Sequence, residues 1–584
     1  MTRPLPFRRV FSAIGFSLIA ALLVFRTPVS AQDARGSPPP ASAAIRPVDA
    51  KHGMVVAQEK RAAAIGAEIL ARGGNAVDAA VATGFAMAVT YPRAGNLGGG
   101  GFMVIHLADR DRDVAIDYRE TAPGATMRDI FLGADGKPDP AKSRDSALGI
   151  GVPGTVAGLA LALGQYGSGK FTLADLLKPA ITLARDGFRI SDDTADTLPQ
   201  WHRRLARWAS SVKIFSRPDG SSLREGDRLV QTDLAATLTA IAERGPRGFY
   251  EGPVAERLVA AIRAAGGIMT LDDLKSYRPL VREPVRGSYR GYDIVSMPLS
   301  SSGGTVLIES LNILEGFPMR DLHQGSADSL HLLIEAMKRA YADRARYLGD
   351  PAFVHAPIAT LLAKDYAAKQ RASIDMVRAT PAAAVPLPPP HEGDNTTHFS
   401  VTDAFGNAVS NTYTLNFSYG VGLVAEGTGV LLNNELDDFT AAPGASNAFG
   451  LVGFEANLPG PGKRPLSSMT PTIVLKDDKP VLVTGSPGGS RIVSTVLQVI
   501  VNVLDYGMTV ADAVAAPRLH HQWLPDEVRA EHGFPESVIA ELRARGHIVV
   551  MPMGQTSANS IAVSPDGFHG AADPRTRGSE AAGY

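Results

Sequence analysis

Residues 394–400, Asp-Asn-Thr-Thr-His-Phe-Ser, join two stretches whose folding preferences are incompatible. Upstream, residues 380–390 are a run of Pro and Ala that reads as an unstructured arm. Downstream, His398 to Asp403 alternates polar and apolar residues, Gly406-Asn407 reads as a turn, and Ala408 to Phe417 resumes as a second strand. Thr396 therefore stands where an arm enters a hairpin. A Thr hydroxyl is a poor nucleophile without a neighbouring base. Cutting the chain just before it would supply one, because the freed α-amine titrates near roughly 7.7–8.0 and sits on the same residue. Taken alone, the stretch fits an ordinary Thr-rich strand start better.

The rest of the chain narrows the choice. With 59 Gly and 41 Pro, turns are frequent, which suits a sheet-containing fold better than a helical bundle. At 584 residues there is room for two or three average domains or one large layered one. The 58 basic and 59 acidic residues nearly cancel and form no long run, so no nucleic-acid partner is expected. Arg3, Arg8 and Arg9 precede an apolar run from Val10 to Phe25, and Val29-Ser30-Ala31 offers a small-residue cleavage site. The run is shorter than the ~20 residues of a membrane span. Residues 1–31 are thus expected to be an export signal, with no stable membrane span, and 32–50 a disordered leader. The chain has no Cys, so an exported protein of this sequence relies on core burial rather than disulfides.

Along the chain, residues 58–72 have a helical apolar face and stop at Gly73-Gly74, and Asn75 caps a second helix, Ala76 to Val89, apolar all round and so expected to be buried. The glycine run 98–101 leads into strands at 102–107 and 114–118, and tight backbone packing explains it better than anion binding. Two stretches imitate nucleotide motifs. Residues 149–154 match a dinucleotide fingerprint, but Pro153 removes a needed N–H and no convincing strand precedes it. Residues 164–171 approach a phosphate loop, but Phe171 replaces the Ser/Thr and a helix precedes it. Residues 172–380 read as mainly helical with one strand-like segment at 287–297, and strands at 472–475 and 481–484 precede an apolar helix at 492–503. The alternation implies a layered α+β architecture.

Several polar positions stand out against this background. Gly488-Gly489, at a strand-to-helix junction, can point backbone N–H groups at a developing oxyanion, each donor contributing about 3–4 kcal/mol, or can be a plain turn. Arg119 can clamp a carboxylate or join a structural ion pair with its acidic neighbours Asp117 and Glu120. Glu435 and Asp438 can form a negative pocket for an ammonium group or a solvated turn, and Ser467-Ser468 offer hydroxyl donors. The adjacent His520 and His521 point different ways and lack a suitably spaced partner, so no metal is expected.

The motifs around these positions carry a resemblance. Thr396-Thr397-His398-Phe399-Ser400-Val401, Thr412-Tyr413-Thr414-Leu415-Asn416, Asn433-Asn434-Glu435-Leu436-Asp437-Asp438-Phe439, Lys463-Arg464-Pro465-Leu466-Ser467-Ser468-Met469 and Gly485-Ser486-Pro487-Gly488-Gly489-Ser490-Arg491 occur in this order. With Gly73 to Ala80, Ala94 to Phe102, Asp117 to Glu120 and His520 to Trp523, they closely resemble the γ-glutamyltranspeptidase family from about Lys51 to Tyr584. The resemblance implies an N-terminal nucleophile hydrolase with a four-layer αββα sandwich. Its precursor cuts itself between Asn395 and Thr396 into a large subunit, 51–395, and a small catalytic subunit, 396–584, that stay together as a heterodimer. By position, Thr396 would be the nucleophile, supported by Thr414, with Gly488 and Gly489 as oxyanion hole. Arg119, Ser467 and Ser468 would hold the substrate α-carboxylate, and Asn416, Glu435 and Asp438 its α-ammonium. The implied substrates are glutathione and other γ-glutamyl compounds, the glutamyl group passing to water or to an acceptor amino acid or short peptide. The family implies neither cofactor nor metal, and its habits suggest the bacterial periplasm or secretion.

Two positions depart from the pattern. Glu435 stands where some relatives carry Gln, and either can accept from an ammonium. Phe449, in the apparent lid loop 443–450, stands where Tyr is familiar, so one gate hydrogen bond is lost. The alternative within the family is a glutaryl-type cephalosporin acylase, whose substrate lacks the α-ammonium and has little use for Asn416, Glu435 and Asp438 together. A poly-γ-glutamate depolymerase is opposed by the lid loop, and an inactive binding protein by the intact Thr396, Thr414, Gly488 and Gly489.

Overall fold

The computed structural model describes residues 47–110, 112–382 and 396–584. The expected signal at 1–31, most of the leader and arm, and Asn395 lie outside the described residues. The strands that build the sheets are, in chain order, β1 (Val48–Ala50), β2 (Gly53–Ala57), β3 (Gly100–Leu107), β4 (Arg112–Tyr118), β5 (Leu280–Arg282), β6 (Val285–Tyr289) and β7 (Tyr292–Ser296). There follow β8 (Thr396–Asp403), β9 (Ala408–Thr414), β10 (Thr472–Lys476), β11 (Lys479–Thr484), β12 (Ser560–Ser564), β13 (Gly567–Ala571) and β14 (Glu580–Gly583).

Among the described residues they form two seven-stranded sheets. One has the order β1-β13-β12-β11-β10-β7-β6, the other β14-β2-β8-β9-β3-β4-β5, and neighbours in both are antiparallel. Successive residues of a strand face opposite sides, and here the two sides belong to different cores. Met54 and Val56 of β2 and Phe102 and Val104 of β3 share one apolar cluster with Val295, Ile473 and Val483 of the other sheet. Their neighbours Val55, Ala57, Met103 and Ile105 join a cluster with the helices α1 (Lys60–Ala71), α2 (Ala76–Thr90) and α3 (Thr155–Tyr166). Ile294, Val474 and Leu482 join a third with α4 (Gly303–Leu314), α5 (Ala327–Tyr347) and α6 (Arg491–Leu504).

Helix α2 shows how sequence builds this packing. Asn75 caps it, with Asp78 closing a capping box, a device that stabilises a helix start by about 1 kcal/mol. All of its residues are buried, as expected of a helix apolar on every face. The carboxylate of Asp403, at the end of β8, accepts from Ala76 N at 2.8 Å, and Tyr413 of β9 donates to Gly84 O at 2.9 Å. The glycine run holds β3 against its neighbours: a Cβ on Gly99 would lie 2.0 Å from the Thr414 carbonyl oxygen. Close backbone packing is its role.

Two expectations are corrected. Val48–Ala50 is a strand paired with β13, so the leader assigned to 32–50 stops short of residue 48. The single strand expected at 287–297 is a hairpin, β6 and β7, turning at Arg290 (φ 52) and Gly291 (φ 78).

Candidate active site

Thr396 opens β8 and lies opposite Thr414 at the end of β9, where its Oγ1 donates to Thr414 Oγ1 at 3.3 Å. Thr414 Oγ1 also accepts from Asn416 N at 2.9 Å. Asn416 has a left-handed backbone (φ 72), which Asn tolerates better than most residues, and its side-chain amide donates to Asn434 O at 2.9 Å. The Thr414 carbonyl accepts from Asn96 Nδ2 at 2.9 Å, so the hydroxyl facing Thr396 hangs from a fixed backbone. Thr396 is buried, and burial holds His398, two residues along, neutral with a pKa pushed down to about 3. That ring bonds Thr412 and Ser400 hydroxyls rather than any group of the cleft.

One cleft brings together Thr396, Thr414, Arg119, Asn416, Glu435, Asp438, Ser467, Ser468, Phe449 and Gly489. Sequence positions more than 300 apart thus meet, and of the expected site residues that are described only Gly488 is not part of the lining. Gly488 (φ 128) and Gly489 (φ 58) form the turn between β11 and α6, at the helix end where backbone N–H groups are unpaired within the helix. A Cβ on Gly489 would come within 2.5 Å of the Phe449 ring.

Arg119 follows β4 and is fully buried. Its Nε donates to Pro465 O at 3.1 Å, Nη1 pairs with Glu435, and Nη2 donates to Asp438 Oδ2 at 2.5 Å. Glu120 Oε2 lies 3.9 Å from Nη1. The positive and negative clamps expected for two ends of a substrate are therefore paired with one another here. Burial pushes Glu120 up to about 7 and raises Glu435 and Asp438 as well, with Arg119 opposing the shift in each. Burial also works against the Arg119 charge, and the surrounding carboxylates outweigh it. Removing one partner of such a buried pair costs about 3–5 kcal/mol, because the other charge is left buried and unpaired.

Ser467 and Ser468 lie beyond Arg119, where Ser467 Oγ accepts from Met469 N at 3.1 Å. Phe449 packs edge-on to Phe417 with ring centroids 6.1 Å apart, and its carbonyl accepts from Gln522. Its loop is tied to the cleft by Asn447 Nδ2, which donates to Asp438 Oδ1 at 3.0 Å. Asn96, Glu120, Asn434, Asn447 and Arg344 have no role legible from sequence. Each touches a residue expected at the site, a relation that only the fold creates.

A second depression, beside Tyr91 and Arg577, has charges largely neutralised by mutual pairs such as Lys60–Asp192 and Arg93–Asp193. Ligand atoms of His331, Glu335 and His547 lie within 4.8 Å of one another, a grouping sequence spacing could not show because His547 is remote. His331 Nδ1 and His547 Nε2 already share a hydrogen bond of 2.8 Å. Glu335 accepts from Arg339 and from Thr380 N, and these cationic and backbone partners oppose a divalent ion. His520 and His521 bond to Ser494, Gln522 and Asp526 instead.

Comparison with known proteins agrees with this geometry. A family profile described as gamma-glutamyltranspeptidase matches residues 62–583. The chain is 50% identical over 541 residues to the glutathione hydrolase proenzyme of Escherichia coli (strain K12), covering 92% of this chain and 93% of the relative. The crystal structure of cephalosporin acylase from Bacillus halodurans is similar with a TM-score of 0.82 at 29% identity, over 93% of this chain and 98% of that one. Helicobacter pylori gamma-glutamyltranspeptidase is similar with a TM-score of 0.54 at 46% identity, over 55% of this chain and 91% of that one.

Proposed function

The chain belongs to the γ-glutamyltranspeptidase family, and from that premise we propose that it is an autoprocessing γ-glutamyltransferase and glutathione hydrolase with Thr396 as nucleophile. The observation that carries this reading is the placement of Thr396 in one cleft with Arg119, Glu435, Asp438 and Gly489. A zwitterionic glutamyl head group brings a carboxylate for Arg119 and an ammonium for Glu435 and Asp438, exchanging one set of paired charges for another. Held this way, its γ-carbonyl is oriented against the Thr396 hydroxyl.

The Thr396 oxygen attacks the γ-carbonyl carbon while the hydroxyl proton passes to the residue's own α-amine. Gly488 and Gly489 N–H groups stabilise the oxyanion. Collapse breaks the C–N bond, the departing amine takes the proton, and a γ-glutamyl ester of Thr396 remains. Water or an acceptor amine then attacks the ester and restores the hydroxyl. Self-cleavage uses the same hydroxyl on the Asn395 carbonyl, giving an ester that water opens and freeing the amine.

The clusters on either face of the two sheets support the αββα layering of N-terminal nucleophile hydrolases. Division at 395/396 would leave β2 to β5 on one fragment and β8, β9 and β14 on the other, sharing one sheet, which accounts for subunits that stay together. The basic and apolar character of residues 1–31 supports export, with the periplasm as destination.

The likeness to a cephalosporin acylase favours a second reading, glutaryl-type acylase activity. A glutaryl group carries a carboxylate alone. It would add an anion to a cleft that already holds Glu120, Glu435 and Asp438 around one guanidinium, so γ-glutamyl substrates are preferred. Faster turnover of a glutaryl than a γ-glutamyl anilide would reverse this choice. Intact mass of the matured protein under denaturing conditions tests the main reading: two fragments meeting at 395/396 are expected. Thr396→Ala should give one uncut chain and no turnover, and activity in that variant would overturn the mechanism.

A further inference from the structure

Arg344, in the last turn of α5, is buried, and among the described residues no carboxylate lies within ion-pairing distance of its guanidinium. Its polar partners are two hydroxyls: Nε donates to Ser302 Oγ at 2.9 Å and Nη2 to Ser468 Oγ at 3.4 Å. Asp438 attracts the guanidinium from beyond pairing distance, but burial outweighs that attraction and works against its charge, so an anion bound nearby would compensate further. The cleft lined by Ser468 is where one could come from.

The polarity of these bonds sets the direction of the serine hydroxyls. A guanidinium only donates, whereas a hydroxyl has one hydrogen to give and lone pairs to accept. Ser302 has spent its hydrogen on Ser467 O at 2.6 Å. Ser468 Oγ accepts from Arg344, and Ser467 Oγ accepts from the Met469 N–H, another donor-only group. Both serine oxygens are thus held by donors, and their own hydrogens are left to point at an acceptor. Arg119, meanwhile, is already surrounded by Glu435, Asp438 and Glu120.

We infer that Arg344 is a positioning residue for the donor substrate's α-carboxylate: it orients the Ser468 hydroxyl as a hydrogen-bond donor into the cleft and fixes that end for anions. This rests on the γ-glutamyl reading of the cleft. Lys at 344 still only donates, whereas Gln carries an amide oxygen that can capture the Ser468 hydrogen and turn the hydroxyl away.

The test compares Arg344→Gln, Arg344→Lys and Ser468→Ala, singly and with R344Q combined with S468A, each checked for native circular dichroism and melting temperature. Two donors are used, γ-glutamyl p-nitroanilide and 4-aminobutyryl p-nitroanilide, which keeps the ammonium but lacks the α-carboxylate. R344Q is expected to raise KM for the γ-glutamyl donor about tenfold, the scale of one hydrogen bond to a charged group, with kcat changed less than about threefold. R344K should stay within about threefold of the parent KM, neither variant should move KM for the 4-aminobutyryl donor, and R344Q should add nothing once Ser468 is Ala. Equal effects on both donors, additive effects in the double variant, or R344K behaving as R344Q would overturn the inference. Should R344Q not fold, folded R344K and S468A carry the test: S468A showing no donor-selective rise in KM would overturn it. A parent enzyme that turns over neither donor would overturn the γ-glutamyl reading and this inference with it, whereas an active parent with an unmoved KM in R344Q sinks the inference alone.

Discussion

Gly489 shows how a single missing side chain serves two purposes. Its φ of 58 lies in the left-handed region that a Cβ disfavours, and the nearest atom such a Cβ would meet is on the Phe449 ring at 2.5 Å. Strain and clash would act together on the turn that presents the N–H groups before α6. Gly489→Ala should therefore lower kcat about a hundredfold or more, the cost of misplacing an oxyanion donor, with a smaller change in KM. Steady-state kinetics on a γ-glutamyl anilide checks this, and a variant with unchanged kcat would remove Gly489 from the oxyanion site. The same scale explains what sequence reveals about chemistry. Thr396, Arg119 and Gly489 stand in recognisable motifs, but their partners are set by the fold. That Arg119 meets Glu435 and Asp438 depends on side chains more than 300 positions apart in the chain.

The loop carrying Phe449 depends on one side chain for its shape. Asn447 holds it from two directions: its Oδ1 accepts from Phe449 N and Leu451 N, and its Nδ2 reaches Asp438. The Phe449 loop and the Asp438 carboxylate, proposed to hold the substrate ammonium, are therefore mechanically linked. Asn447→Ala should raise KM for a γ-glutamyl donor about tenfold, since a bond to a charged group is lost and the turn loosens, while melting temperature changes little. An unchanged KM would mean that loop and carboxylate are independent. Elements were legible where periodicity or caps are strong: Asn75 with Asp78 marks the start of α2, and an apolar run marks α6. The β6–β7 hairpin is only half signalled: Gly291 suits the second turn position, but Arg290 adopts positive φ at the first, where Asn, Asp or Gly is the usual sign. Strand β1 is too short to show alternation, and its partner β13 lies more than 500 residues downstream.

At the scale of the whole molecule, burial makes the fold sensitive to acid through its histidines. His398, His520 and His547 sit on different elements, and burial pushes each down to about 3. An unfolded chain protonates these rings below about 6.5 whereas the native fold does not until near 3. Each therefore contributes stability that is fully present above pH 6.5 and is lost as pH falls toward 3, at about 1.4 kcal/mol per pH unit for each proton. Glu120 works the other way: its raised pKa, about 7, means that acidification relieves a cost present at neutral pH. The net curve mixes both signs, so a difference between variants isolates one group. His398→Gln replaces a ring that bonds the Thr412 and Ser400 hydroxyls with a side chain that cannot titrate. Urea unfolding free energies between pH 6 and pH 4 should fall less steeply in this variant, by about one proton's worth of slope. Its lower absolute stability does not affect the comparison, because the slope depends on protons taken up on unfolding and not on how well the new side chain packs. Parallel slopes for the two proteins would show that His398 is already charged in the native fold, and the neutral, buried ring assigned to it would be wrong.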